Sequence, residues 1–200
     1  MNYKMKFRNF LALCFAVAVV SMSASSVAQA AGYTYTSKEY GYTIECPQKP
    51  VGVIPLSALS PTEKGDVLIF ANDGYNIKHA WVVMPNGFDQ DSFPDLDKIS
   101  EADAKTLFGK LMATGYEFVS LVNVNGHNAL YAVTAKTMVV GKDSDGKPEK
   151  VEADAQQVKT FIRGKNDRYA VILMDNPTLL KEDVQAYQDG VLSFKEINKK

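Results

Sequence analysis

The sequence predicts an α+β domain, an antiparallel β-sheet with helices packed on it, preceded by a signal peptide. Three observations carry this. Aromatic or aliphatic residues alternate with polar ones along several short runs, as in "YTYTSKEYGYTIEC" at residues 33–46. Two other stretches, 100–115 and 176–194, place their apolar residues at helical spacing. The connections between successive strand-like runs after residue 115 are short, whereas a parallel return needs a dozen or more residues.

The leader comes first. Lys4, Lys6 and Arg8 precede an apolar run of 11 residues, Phe10 to Val20, and small residues follow up to Ala28-Gln29-Ala30. This is the layout of a secretory signal peptide, with cleavage expected after the Ala28 and Ala30 motif, before Ala31. The run is about half of the ~20 residues a membrane-spanning helix needs. Cys14 lies inside the apolar run and not at its end, which argues against a lipoprotein leader. Residues 31–200 are then the expected single mature domain, exported to a periplasm or secreted.

The mature chain carries 19 Lys and Arg against 23 Asp and Glu, a formal charge of −4. No basic stripe suited to a phosphate backbone is present, so nucleic acid is not an expected partner. Only Cys46 remains after the leader, which excludes an internal disulfide and a cysteine-type zinc site.

The elements follow in order. Tyr33 and Tyr35 share one face of a first strand, and Tyr40, Tyr42, Ile44 and Cys46 share one face of the next, which Pro47 and Pro50 close. "VGVIPLSAL" reads as a weak extended segment. "DVLIFAND" places Val67 to Ala71 in an unbroken apolar row before Asn72-Asp73-Gly74, as in a strand buried on both faces. "NIKHAWVVMP" is a further strand. Residues 85–99 form a long irregular stretch. Ser100 then caps a helix with Asp103 in the capping-box position, Leu107, Phe108, Leu111 and Met112 on its apolar side and Gly115 as its stop.

Four strands are expected in series after that: "YEFVSLVNV", "ALYAVTAKTMVV", "VEADAQQVKTFI" and "RYAVILMD". The first pair turns at Asn125-Gly126, a strong hairpin signal. Asn176-Pro177 opens a last helix whose stripe is Leu180, Val184, Tyr187, Val191 and Phe194.

The "GYTIECP" strand, the Asn-Gly hairpin, the "VKTFIRGKNDRYAVILM" pair and the closing "DVQAYQDGVLSFK" helix resemble the PsbP-like superfamily, a grouping that takes in PsbP, DcrB and the Mog-type proteins. The resemblance covers nearly all of residues 33–196. Two departures are Cys46, where such strands carry an aromatic or aliphatic residue, and the lack of a tryptophan soon after Pro47. The resemblance implies an α/β/α sandwich used by accessory and binding proteins, and it transfers no catalytic residue.

The candidate sites are few. Cys46 reads as a buried thiol, because a thiol enzyme needs a histidine base and the chain offers only His79, on a strand face with Trp81, and His127, at a hairpin tip. The loop 141–152 puts Asp143, Asp145, Gly146 and Glu152 at calcium-loop spacing, but Gly141 stands at the first ligand position and strands flank it. Asp89, Asp91, Asp95, Asp97, Glu101 and Asp103 could gather a cation or simply lead into a helix start. No nucleophile elbow, phosphate loop or dinucleotide fingerprint occurs.

The functional expectation is an exported, non-enzymatic accessory or binding protein of the bacterial cell envelope. It would bind a protein or small-molecule partner, with no cofactor, no catalytic residue and no membrane span. The alternatives are a small-ligand or divalent-cation binding protein, or an enzyme with a carboxylate or thiol site.

Overall fold

The computed structural model describes residues 32–71, 76–88, 93–142, 145, 147–153, 156–175 and 179–198. The leader with Ala28 and Ala30, the turn at Asn72-Asp73-Gly74, Asp89, Asp91, Asp143, Gly146 and the Asn176-Pro177 helix start lie outside the described residues.

The aromatic hairpin forms as the alternation predicts. β1 (Tyr33–Ser37) and β2 (Tyr42–Cys46) pair antiparallel with Tyr35 opposite Ile44, and β12 (Lys195–Glu196) adds to the free side of β2. These three strands make a small sheet of their own, separate from the main one. The main sheet contains β3 (Gly52–Pro55), β4 (Asp66–Ala71), β5 (Ile77–Pro85), β6 (Tyr116–Val124), β7 (His127–Thr134), β10 (Gln157–Arg163) and β11 (Arg168–Asp175). Its order is β3-β4-β5-β11-β10-β7-β6, and every pairing is antiparallel. A 3₁₀ turn, Leu56–Ala58, follows β3.

One expected pair of strands is broken. "ALYAVTAKTMVV" splits into β7 and β8 (Thr137–Lys142), and "VEADAQQVKTFI" splits into β9 (Pro148–Ala153) and β10. Among the described residues β8 and β9 pair with each other and with no strand of the main sheet. The break is held by side chains: Thr134 Oγ1 accepts from the Gln157 amide at 2.8 Å, and Gln156 Nε2 donates to Glu117 at 2.7 Å and to the Thr134 carbonyl at 3.1 Å. Backbone groups that leave a ladder need replacement partners, and these polar side chains provide them.

Side-chain alternation sorts the core onto two faces. Ala129 and Tyr131 of β7, Val158 and Ile162 of β10, and Tyr169, Val171 and Leu173 of β11 join one cluster with Trp81, Tyr42 and Ile44. Their neighbours Leu130, Ala132, Phe161 and Ala170 join a second cluster on the other face. Helix α1 (Glu101–Ala113) packs Leu107, Phe108 and Leu111 on the second face. Helix α2 (Lys181–Leu192) packs Tyr187 and Val191 on the first. Two helices on opposite faces of an antiparallel sheet give the α+β class in three layers.

The helix ends agree in part with expectation. Ser100 Oγ accepts from the Asp103 amide at 3.1 Å and donates to its carboxylate at 2.6 Å, so the predicted cap forms. Met112, expected on the apolar side, is 53 % exposed. Helix α2 begins at Lys181 with Leu180 in the extended cap position and no side-chain cap, so Leu180 stands outside the helix and faces solvent. Phe194 follows the last turn, yet it is buried and stacks on Tyr42 with ring centroids 5.5 Å apart.

Candidate functional site

Cys46 lies where its register places it. It is 2 % exposed, its Sγ approaches the Ile44 carbonyl at 3.9 Å, and burial pushes its thiol up to about 12. His79 turns instead to Phe70, with centroids 4.9 Å apart, and to Asp183, whose Oδ1 is 3.3 Å from His79 Nδ1. The thiol and the imidazole therefore do not form the dyad that a thiol enzyme requires. Asp183, 3 % exposed in the first turn of α2, also accepts a 2.6 Å contact from Lys78. A carboxylate near a helix N-terminus is stabilised by the amides there, and the added cation explains how this one tolerates burial. Sequence reasoning passed over Asp183 because it sits in a polar run of α2 with no spacing signal.

The acid-rich stretch resolves into ordinary partners at its described positions. Asp95 pairs with Lys98 at 2.9 Å and Glu101 with Lys105 at 2.8 Å, while Asp103 is spent on the Ser100 cap. Asp97 accepts from the Asn128 amide at 2.6 Å and meets His127 Nδ1 at 2.8 Å. The amide first, and then the imidazole, hold the Asp97 carboxyl below its usual range. Among the described residues no group of three His, Cys, Asp or Glu is placed to hold a metal. Of the stretch 141–152, the described ends belong to strands β8 and β9 and not to the helices that flank a calcium loop.

What these contacts do build is a wall. Asp97, with Asn128 Nδ2 donating to the Leu96 carbonyl at 2.9 Å, fastens segment 93–97 to the tip of the β6–β7 hairpin. That tip turns at Asn125 (φ 52°) and Gly126 (φ 88°), the left-handed pair that a two-residue hairpin requires. Asn125 Nδ2 donates in turn to the Phe194 carbonyl, tying the hairpin to the chain end.

The opposite wall is the β10–β11 turn, residues 163–168. The amides of Lys165, Asn166 and Asp167 all point at Glu196, with distances of 2.6, 3.0 and 2.9 Å. Successive backbone N–H groups around one carboxylate make an anion-binding nest. Here the chain's own glutamate fills it. The Ile197 amide donates to the Gly41 carbonyl at 2.8 Å, so the last strand holds the turn against the small sheet.

Between the walls lies an open cleft of about 770 Å³. Its floor is a cluster of three phenylalanines: Phe88 meets Phe93 edge-on at 5.2 Å and Phe161 edge-on at 5.7 Å, and Phe93 lies 5.3 Å from Phe161. Arg163, Lys165 and Lys195 stand on its rim beside His127, which is 68 % exposed. His127 at a hairpin tip is as the sequence predicts. The phenylalanine floor was missed, and "RGKND" was legible only as the connection of a strand pair and not as a cleft wall, although Phe161 and Arg163 share a face by simple alternation.

The fold and the cleft define an α+β protein with two helices packed on antiparallel sheets. No protein-family model matches the chain, and no curated protein matches it. Among solved structures the chain is similar to the 1.9 Å crystal structure of the Ran-binding protein Mog1p of Saccharomyces cerevisiae, at 16 % identity over 84 % of this chain and 97 % of that one, with a TM-score of 0.44. This finding corrects the expected role: the match is a Ran-binding protein of yeast and not an accessory protein of a bacterial cell envelope, and that expectation is withdrawn. At such identity and TM-score the match says nothing further of what this chain does. No helix among the described residues is long and apolar enough to cross a membrane.

Proposed function

We propose that this chain is a binding protein, without catalysis, that takes a segment of a partner protein into the phenylalanine-floored cleft. The cleft itself is the observation that supports this reading. Its volume falls within the 300–1,000 Å³ range of ordinary ligand sites, its floor is aromatic, and both walls are anchored by hydrogen bonds from different elements. Among the described lining residues there is no serine, threonine or cysteine to act as a nucleophile beside His127.

Site-specific photo-crosslinking tests it. A benzophenone side chain at position 127, on the cleft rim, is expected to give one discrete adduct in the source cells, whereas the same group at exposed position 59 gives none. The Phe93→Asp variant, which puts a charge on the floor, is expected to abolish the adduct. Equal labelling from both positions, or an adduct indifferent to Phe93, overturns the proposal. The leader belongs to the same proposal: residues 1–30 direct export and are removed before Ala31, which N-terminal sequencing of the purified protein checks.

A further inference from the structure

We infer that the segment taken by the cleft is acidic, with its carboxylates read by the β10–β11 turn and an aromatic or aliphatic side chain laid on the phenylalanine floor. This rests on the binding reading above and specifies the partner. Arg163 and Arg168 are direct register partners at the end of the β10–β11 pair, and both stand on the face that carries Phe161 and Ala170. Like charges placed opposite each other across a strand pair disfavour the pairing. The chain keeps them there nonetheless, with Lys165 two residues along and Lys195 across the cleft. Arg163 and Lys165 border both the main cleft and an adjoining polar hollow of about 280 Å³ that Arg168 and a single acid, Asp167, also line.

The acids of the same cleft are already engaged. Asp95 is paired with Lys98, Asp97 with His127 and the Asn128 amide, and Glu196 with the three turn amides. Among the described residues no ion pair reaches Arg163, Lys165 or Lys195. The charge left to an incoming group is therefore positive, and it lies within a few residues of apolar floor. Guanidinium groups suit carboxylates because their donors are set in a planar fork. Glu196 in its nest shows that a carboxylate fits against this turn.

Fluorescence anisotropy on the full chain tests the inference with two fluorescein-labelled hexapeptides, one alternating aspartate with phenylalanine, the other alternating lysine with phenylalanine. The acidic peptide is expected to bind and the basic one not to, with affinity falling as salt rises. Arg163→Glu and Lys165→Glu should each weaken the acidic peptide at least tenfold. Arg163→Glu also replaces a like-charge pair by an opposite one, so its melting temperature should stay level or rise while binding is lost. That combination excludes misfolding as the cause. Equal binding of both peptides, or affinity unmoved by the reversals, overturns the acidic assignment and leaves the cleft reading intact. Binding to anionic lipid vesicles or inorganic phosphate without binding of the acidic peptide overturns it as well. A position-127 crosslinker that gives no adduct brings down the binding reading itself.

Discussion

At residue scale, Cys46 shows how register decides chemistry. On the inward face of β2 the thiol is shielded and its ionisation is pushed up to about 12. Native protein should therefore react with Ellman's reagent far more slowly than protein in denaturant, and fast native labelling would contradict the buried placement. The pH consequence follows from proton counting. An unfolded thiol ionises near about 8.5, so between there and about 12 the folded chain holds a proton that the unfolded chain has released. Stability must fall as pH rises through that window. Burial likewise raises Tyr35, Tyr42, Tyr169 and Tyr187, which adds the same sign above about pH 10. Denaturant midpoints measured at pH 7, 9 and 10.5 should decline in that order. Cys46 was legible from sequence because alternation alone sets it in phase with Tyr42 and Ile44. Asp183 was not, because its burial depends on Lys78 and His79 arriving from another strand.

At element scale, the two helices answer the same substitution in opposite ways. Gly109 in α1 has nothing within 4 Å of where a Cβ would stand, so Gly109→Ala should gain about 0.5–1 kcal/mol of helix propensity. Gly190 in α2 would bring its Cβ to 2.6 Å from the Trp81 ring and 2.7 Å from the Glu45 carbonyl. A backbone oxygen cannot rotate away, and overpacking of this kind costs about 1–3 kcal/mol. Gly190→Ala should therefore lose about 1–2 kcal/mol despite its better propensity, as urea titration would read. Ser100→Ala should lose about 1 kcal/mol through the α1 cap, with little change in the rest of the chain. The α1 start was legible because its cap is local. The α2 start was not read correctly, since Asn176-Pro177 suggests an earlier beginning than Lys181. The β8–β9 departure was missed because its strands are strand-like in composition and only Thr134 and Gln156 mark the break.

At the scale of the whole molecule, the Glu196 latch joins the C-terminal segment, the small sheet and the β10–β11 turn. Hydrogen bonds to a charged group are worth about 1.5–3 kcal/mol each, and solvation of the freed amides offsets much of that. Glu196→Ala is expected to cost about 2 kcal/mol overall and to speed hydrogen exchange at the Ile197, Lys165 and Asn166 amides. Unchanged exchange at those amides would show that the segment is held by β12 pairing alone. The same latch positions the wall of the cleft, so this variant should also weaken the crosslink from position 127.

The sequence by itself determined the α+β class, the antiparallel pairings joined by tight turns, the Ser100 cap, the inward face of β2 and the exposed place of His127. Each of these follows from contacts between residues close in the chain or from a period of two or 3.6 residues. Tertiary structure alone decided that β1, β2 and β12 form a separate sheet, that Asp183 is buried beside Lys78 and His79, and that a cleft exists. The cleft draws on Phe88 and on segments 93–97, 124–128, 161–166 and 194–198, far apart along the chain. No local period records which of those segments will meet, because their meeting is set by how the two faces of the sheet pack.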